Sequence, residues 1–396
     1  MKQFLEKKLT NFHCVLISVF SAMTILLFIV VKLGGCYETN NDRIINEIFS
    51  GTMTGTPDAH AIYVNYILGI IFSGLYNITK AVPWWGLFLL SCYVLINIFV
   101  LTVLLKRGKN LKEQLFFYVL GCSIILTNLY IFSALQFTTI AGVLAVAGYV
   151  WLLLDTHPAR RYIIYGCFEF LAVLLRRDSM LMVQPIGISV VVVFLLIKLF
   201  ENRSQIKQCI LEFTQCIFVI TIVFSGHLLG NYVIGDYSSA EWQEFIEYND
   251  ACVRLIDYYG YPDYEECKDI LDKYGVSELE YHAVHRYYIL DNALDTACMD
   301  ELGDIAEAQY YKEHPFSLVG LIKRMINYFR YDECFGYEIA VPMMYAFVCI
   351  WFLLEHRWKY LLPIGALLGS RYLIFAYLIF KGRITHGVIN ILFFAE

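Results

Sequence analysis

QFTTIAGVLAVAGYVWLLL, residues 136–154, is a run of nineteen residues without a charge. As a helix it rises about 28 Å, close to the ~30 Å hydrocarbon thickness of a bilayer. Comparable runs fall at about 12–33, 85–105, 114–132, 162–175, 181–200, 209–234, 337–354 and 358–380, with an ambiguous run at 62–82 and a partial one after 384. The composition agrees: 59% hydrophobic, 16% aromatic and 17% charged residues describe an integral membrane protein, not a large soluble domain. Water cannot satisfy backbone groups in lipid, so loose strands are no alternative. The fold class predicted is all-α, a polytopic transmembrane helical bundle of about 10–11 spans.

Two polar stretches of any size interrupt the runs, 34–61 and 235–336, and both are rich in carboxylates. Three parts are expected: a transmembrane module over 1–235 that includes the first outer loop 34–61, an extracytoplasmic helical subdomain over 236–336, and C-terminal transmembrane helices over 337–396. The chain ends at Phe393-Phe394-Ala395-Glu396, part-way through what reads as a further span. Lys2, Lys7 and Lys8 before an apolar stretch have the layout of a signal sequence, and Leu33-Gly34-Gly35-Cys36 looks like a lipoprotein cleavage box. The stretch is long, Lys32 interrupts it and many spans follow, so an uncleaved first helix is expected.

Short cytoplasmic loops carry the excess of Lys and Arg. If the run 62–82 crosses once, the basic linkers at 106–112, 160–161, 198–207 and 357–359 land outside. If it dips in and returns, or lies in the interface, they land inside and both acidic stretches face outward, which is the preferred arrangement. The same bookkeeping places Arg176-Arg177-Asp178 and Lys381-Gly382-Arg383 at outer helix ends. Arg177 and Asp178 can simply form a snorkelling ion pair. The functional reading is an anion site, because guanidinium groups match phosphate oxygens bidentately and the phosphate at hand near lipid is that of a lipid carrier.

In the first outer loop Ile44, Ile45, Ile48 and Phe49 fall at helical spacing, which predicts an amphipathic helix lying on the membrane surface, with Asp42 and Arg43 near its N-terminus. Asp42 there can cap the helix or act as a general base. Gly51-Thr52-Met53-Thr54-Gly55-Thr56-Pro57-Asp58-Ala59-His60 is a turn-rich connector that supplies a second acid and a histidine. Asp, Asp and His this far apart form no zinc spacing, so the metal that would suit them is an oxygen-bound Mg²⁺ or Mn²⁺. From 236 onward, Ala240–Tyr259, Glu265–Tyr274 and Glu278–Asp295 read as amphipathic helices of a water-soluble module. Its tyrosines and acids suit either a solvated cap or carbohydrate stacking. The twelve cysteines show no C-x-x-C pair, and Cys252, Cys267, Cys298 and Cys334 are placed where they could form disulfides.

Asn41-Asp42-Arg43 with Phe49-Ser50-Gly51, Gly55-Thr56-Pro57-Asp58-Ala59-His60, Pro83-Trp84-Trp85-Gly86-Leu87, Gln136-Phe137-Thr138, Leu175-Arg176-Arg177-Asp178 and Gly382-Arg383 together give a resemblance that spans nearly the whole chain. The chain resembles the polytopic proteins of Gram-positive bacteria that belong with the membrane glycosyltransferases of the GT-C fold. The resemblance implies a multi-pass protein of the cell membrane that moves a sugar from a polyprenyl-phosphate donor to a cell-envelope glycan or protein acceptor on the outer face. It gives the role of base to Asp42. Such proteins commonly carry two acids in a row here, whereas this chain has Asn41 before Asp42. Arg43, Asp58, His60, Gln136, Arg176, Arg177, Asp178 and Arg383 are then candidates for substrate binding. Membrane lipid is an expected partner and nucleic acid is not. Rival readings are a transporter or flippase of lipid-linked glycans, a polysaccharide polymerase or ligase, and a non-catalytic scaffold or sensor. A transporter calls for intramembrane charges and paired broken helices. The runs show no internal repeat and little charge.

Overall fold

A computed structural model of the chain describes residues 8–34, 36–37, 40–127, 134–155, 157–284, 292–331, 335–354, 356–383 and 386–395. It is helical almost throughout. The helices are α1 (Asn11–Phe28, continued by a π turn over Ile29–Leu33), α2 (Asn40–Ser50), α3 (Tyr66–Ile78), α4 (Trp84–Arg107), α5 (Leu111–Thr127), α6 (Phe137–Leu154), α7 (Pro158–Leu175), α8 (Arg177–Glu201) and α9 (Ile206–Leu228, continued by a π turn over Leu229–Ile234). They are followed by α10 (Ala240–Val253), α11 (Tyr264–Tyr274), α12 (Glu278–Val284), α13 (Thr296–Glu313), α14 (Leu318–Tyr331), α15 (Phe335–Leu354), α16 (Leu361–Phe380) and α17 (His386–Phe394). Two short strands, β1 (Cys36–Tyr37) and β2 (Ala134–Leu135), pair in parallel.

Among the described residues six helices are long and apolar enough to cross a membrane: Asn11–Lys32, Trp84–Arg107, Phe137–Leu154, Arg177–Glu201, Arg203–Ile234 and Trp358–Phe380. The apolar helices Tyr66–Ile78 and Val341–Leu354 are shorter. Six is fewer than the number expected from the apolar runs. Tertiary folding breaks the run 62–82 down to thirteen helical residues, about 20 Å of rise.

The chain divides into two compact units, one of Met1–Gly235 with Trp358–Leu367 and His386–Glu396, the other of Asp236–Arg357 with Leu368–Thr385. In the first unit α6 is the central helix, with 72% of its apolar window buried against 17–44% in the other five spans. Ala141, Gly142, Ala145, Ala147 and Gly148 let neighbours approach α6 closely, the small-residue device by which helices pack when lipid offers no hydrophobic drive. Facing it, Gly187 of α8 lies so close to the Tyr149 ring that a Cβ would come within 2.3 Å of it.

The little charge that the spans carry is buried inside the protein. Glu169 in α7 and Arg371 in α16 are both fully buried. Gln184 donates to Glu169 Oε2 at 2.9 Å, and Tyr149 donates to Gln184 Oε1 at 2.6 Å. A lone acid in an apolar run costs free energy unless it is hydrogen-bonded, and this network supplies such bonds.

In the second unit Leu255, Cys267, Leu271, Tyr281, Met299 and Leu302 form a small core. Arg254 holds α13 through Asp304 and Glu307. The run Glu278–Asp295 is helical only as far as Val284 within the described residues. Residues 292–295 form a turn, because Asp295 is the N-cap of α13 and accepts from Cys298 N at 2.8 Å. Cys252, Cys267 and Cys298 are free thiols; Cys334 lies outside the described residues.

Two glycines in α3 test this packing. A Cβ on Gly69 would sit 1.8 Å from the Ala59 carbonyl oxygen, a backbone atom that cannot swing away, while one on Gly74 would meet nothing within 4 Å. Gly69→Ala is expected to cost about 1–3 kcal/mol by overpacking, and Gly74→Ala to be neutral or stabilising by about 0.5–1 kcal/mol. Thermal midpoints of the purified variants in detergent check the contrast.

Candidate functional site

The site candidates of the first unit are held by the polar segment 34–61. Tyr37 pairs with Leu135 in the short parallel ladder, which fixes the loop beside the entry to α6. Three residues into α2, Asp42 is fully buried, and its Oδ1 accepts from the backbone N–H of Phe137 at 2.9 Å. Phe137 is the first residue of α6. The expected cap of its own helix is therefore replaced by an anion at the N-terminus of another, where free N–H groups and the helix dipole favour negative charge. Gln136, the residue before α6, is buried and accepts from the Thr139 hydroxyl.

The apolar face of α2 also departs from expectation. Ile45 and Phe49 are buried in the protein core, not spread on a lipid surface; Ile44 alone of the four is clearly exposed. Phe49 stacks on Phe72 at 5.8 Å and meets Trp85 edge-on at 5.5 Å. Tyr76 donates to Asn46 Oδ1 and accepts from Trp85 N. Asn65, at the other end of α3, receives its anchoring from α7 and α9: its N–H donates to Leu174 O at 2.8 Å and its amide to His227 O at 2.9 Å.

Arg176 and Arg177 are separated by the geometry. Arg177 pairs with the adjacent Asp178 at 3.0 Å, both half-exposed, which is the ion-pair reading of that motif. Arg176 lies in the junction between α7 and α8, its guanidinium 4.1 Å from the Tyr63 ring centroid and 5.2 Å from that of Phe137. Tyr63 holds a left-handed backbone, φ 74°. A bulky residue there is strained by about 1–3 kcal/mol, and such strain gathers at functional sites. Asp42 and Arg176 thus converge on one residue, Phe137, from its backbone and its ring. The convergence rests on a backbone N–H and on a left-handed tyrosine, neither of which has a signature in residue type.

Asp58 and His60 form a pair of their own. Asp58 Oδ1 meets His60 Nδ1 at 2.8 Å and the His60 backbone N–H at 2.9 Å, and His60 Nε2 reaches the Gly235 carbonyl at 3.3 Å. Burial pushes the Asp58 carboxyl up, but the His60 backbone and ring outweigh it and hold the group below the usual carboxylate range. Arg43 forms an exposed helical ion pair with Glu47 at 3.3 Å. Arg383, in the second unit, packs over the Tyr258 ring at 4.6 Å and donates to its hydroxyl.

Among the described residues no group of three or more His, Cys, Asp or Glu is placed to hold a metal ion. Asp42 is engaged by Phe137 and Asp58 by His60, so the residues do not fit an Mg²⁺ or Mn²⁺ centre. Compared with known proteins, the chain matches no protein family, no curated protein and no solved structure.

Two outcomes test the geometry. Asp42→Ala leaves the buried Phe137 N–H without its acceptor and is expected to cost about 1–3 kcal/mol, while Asp42→Asn keeps an acceptor oxygen and the fold; hydrogen exchange at the Phe137 amide distinguishes them. A depressed folded-state pKa means that the stability Asp58 contributes is complete above the unfolded value of about 3.9 and drains away as pH falls through the lower folded one. Asp58→Asn is therefore expected to lower the thermal midpoint at neutral pH and to flatten its fall below about pH 4.

Proposed function

We propose that the chain is a glycosyltransferase of the cell membrane that moves a hexosyl group from a polyprenyl-phosphate donor to an acceptor on the outer face, a glycan or protein of the cell envelope. The observation that carries the reading is the meeting of a buried carboxylate and a guanidinium on Phe137. In this reading Asp42 takes the proton of the acceptor hydroxyl. The hydroxyl oxygen then bonds to the anomeric carbon as the carbon–oxygen bond to the lipid phosphate breaks, its electron pair passing to the phosphate. Arg176 stabilises the departing anion, since a phosphate leaving group needs charge more than a proton. Asp42 has no exposed surface, so the acceptor reaches it only when the covering side chains part.

The reading includes a topology of nine spans, the six long helices with the shorter α5, α7 and α15 crossing as well. It has α3 re-entering on the side it left. Asn65 bonds to Leu174 at one end of α3 and Tyr76 to Asn46 and Trp85 at the other, and these partners belong to the same end of the helices they flank. That arrangement leaves Asp42 and Arg176 at the outer face and the basic linkers inside.

A transporter of lipid-linked glycans is the second reading, favoured by Glu169. Its Oε1 is buried with no hydrogen-bond partner among the described residues, inside the helical core of the first unit. An intramembrane acid is the mark of an ion or substrate pathway.

Incubation of the purified protein with radiolabelled polyprenyl-phosphate hexoses, followed by release of the lipid phosphate, separates the two. Asp42→Asn is expected to lower release by at least about 100-fold with an unchanged thermal midpoint. Full release in that variant removes Asp42 from the chemistry, and movement of the intact donor across vesicles without cleavage favours the transporter.

A further inference from the structure

At the end of the bundle away from Asp42, helices α1, α4, α6 and α7 enclose a cavity of about 480 Å³, within the ~300–1,000 Å³ of small-molecule sites. Its walls are apolar, built from Val15, Leu95, Ile98, Phe99, Val103 and Leu154. Val15 and Leu95 in these walls are also exposed, so the slot is open on the side of α1 and α4 that they form. Lys106, Arg107, Arg160 and Asp155 form the rim.

The rim charges do not cancel. Arg160 is committed to Asp155 by two bonds of 2.7 Å, and its guanidinium lies 5.9 Å from the Trp151 ring centroid. That contact holds the Asp155 carboxyl down to about 2, so it stays ionised and keeps Arg160 occupied. Lys106 and Arg107 form no salt bridge among the described residues and are exposed at the end of α4. Two residues that line the cavity, Thr102 and Trp151, carry buried donors, Oγ1 and Nε1, that have no hydrogen-bond partner among the described residues. Buried donors of this kind cost free energy until an acceptor arrives.

We propose that this cavity binds an anionic phospholipid, with an acyl chain between the apolar walls, the phosphate on Lys106 and Arg107, and ester oxygens accepting from Thr102 and Trp151. The three features ask for one molecule that is apolar at one end, rich in acceptors in the middle and anionic at the other. A free phosphate satisfies the rim and leaves the slot empty, whereas a neutral lipid fills the slot and leaves the rim. Each cation near a membrane surface favours an anionic headgroup about fivefold, so two give a preference of at least about tenfold.

The test uses the full chain in phosphatidylcholine nanodiscs doped with chain-brominated phosphatidylglycerol or chain-brominated phosphatidylcholine. The fluorescence of Trp151 is taken as the difference from Trp151→Phe. Half-quenching is expected at a mole fraction of the phosphatidylglycerol at least about tenfold lower than that of the phosphatidylcholine. The double variant Lys106→Gln, Arg107→Gln, both at exposed positions, is expected to abolish this preference while leaving quenching by the phosphatidylcholine unchanged, and inorganic phosphate is expected to have no effect. Equal quenching by the two lipids, a preference that survives the double variant, or relief of quenching by inorganic phosphate overturns the proposal. Because the cavity lies apart from Asp42, the result is independent of whether sugar transfer occurs.

Discussion

The contact between the Asp42 carboxylate and the Phe137 N–H is the constraint on which the rest of the first unit depends. It joins residues 95 positions apart and seats an anion on the positive end of the helix with the most buried apolar window of the unit. Once α2 is tied there, its apolar residues fall into the bundle beside Phe72 and Trp85, and the connector that follows is led past Asp58 and His60 toward α3. One buried carboxyl group thereby sets the path of some thirty residues of polar chain.

The two ends of the helices in this unit are built differently. One end is knitted by side-chain-to-backbone bonds from Asp42, Asn65 and Asn46, together with the Arg176 guanidinium packed between aromatic rings. The other end is knitted by ion pairs: Lys198 and Arg161 on Glu212, Arg160 on Asp155, and Lys359 on Glu201. Between them Glu169 and Gln184 supply a polar layer in an otherwise apolar interior. Such layers fix which helices pair, because any other arrangement leaves a carboxyl group in hydrocarbon without a donor.

The long apolar runs were legible in the sequence because lipid leaves little choice: runs read at 85–105 and 181–200 correspond to Trp84–Arg107 and Arg177–Glu201. The amphipathic spacing of Ile45 and Phe49 was legible too, but not what it covers, since spacing says that a face is apolar and not whether protein or lipid lies against it. The pairing of Arg177 with Asp178 was readable from adjacency. The departure of Arg176 toward Tyr63 was not, because it depends on a left-handed backbone at a tyrosine. Nor was the partner of Asp42, which is a backbone group that every residue but proline carries. Glu169 stood in plain view at position 169, but its burial against Gln184 depends on which helices pack together, and the run 162–175 alone does not say that.

The account stands on Arg176 binding the lipid phosphate beside Phe137, with Asp42 on the other side of that residue as the base. A polyprenyl phosphate bearing a photoreactive group beside the phosphate, cross-linked to the full chain in nanodiscs and mapped by peptide mass spectrometry, tests this directly. The account predicts adducts on the peptides that carry Tyr63 and Phe137, lost when Arg176 is replaced by Gln. Adducts confined to other helices, or adducts on those peptides that are indifferent to Arg176, contradict it.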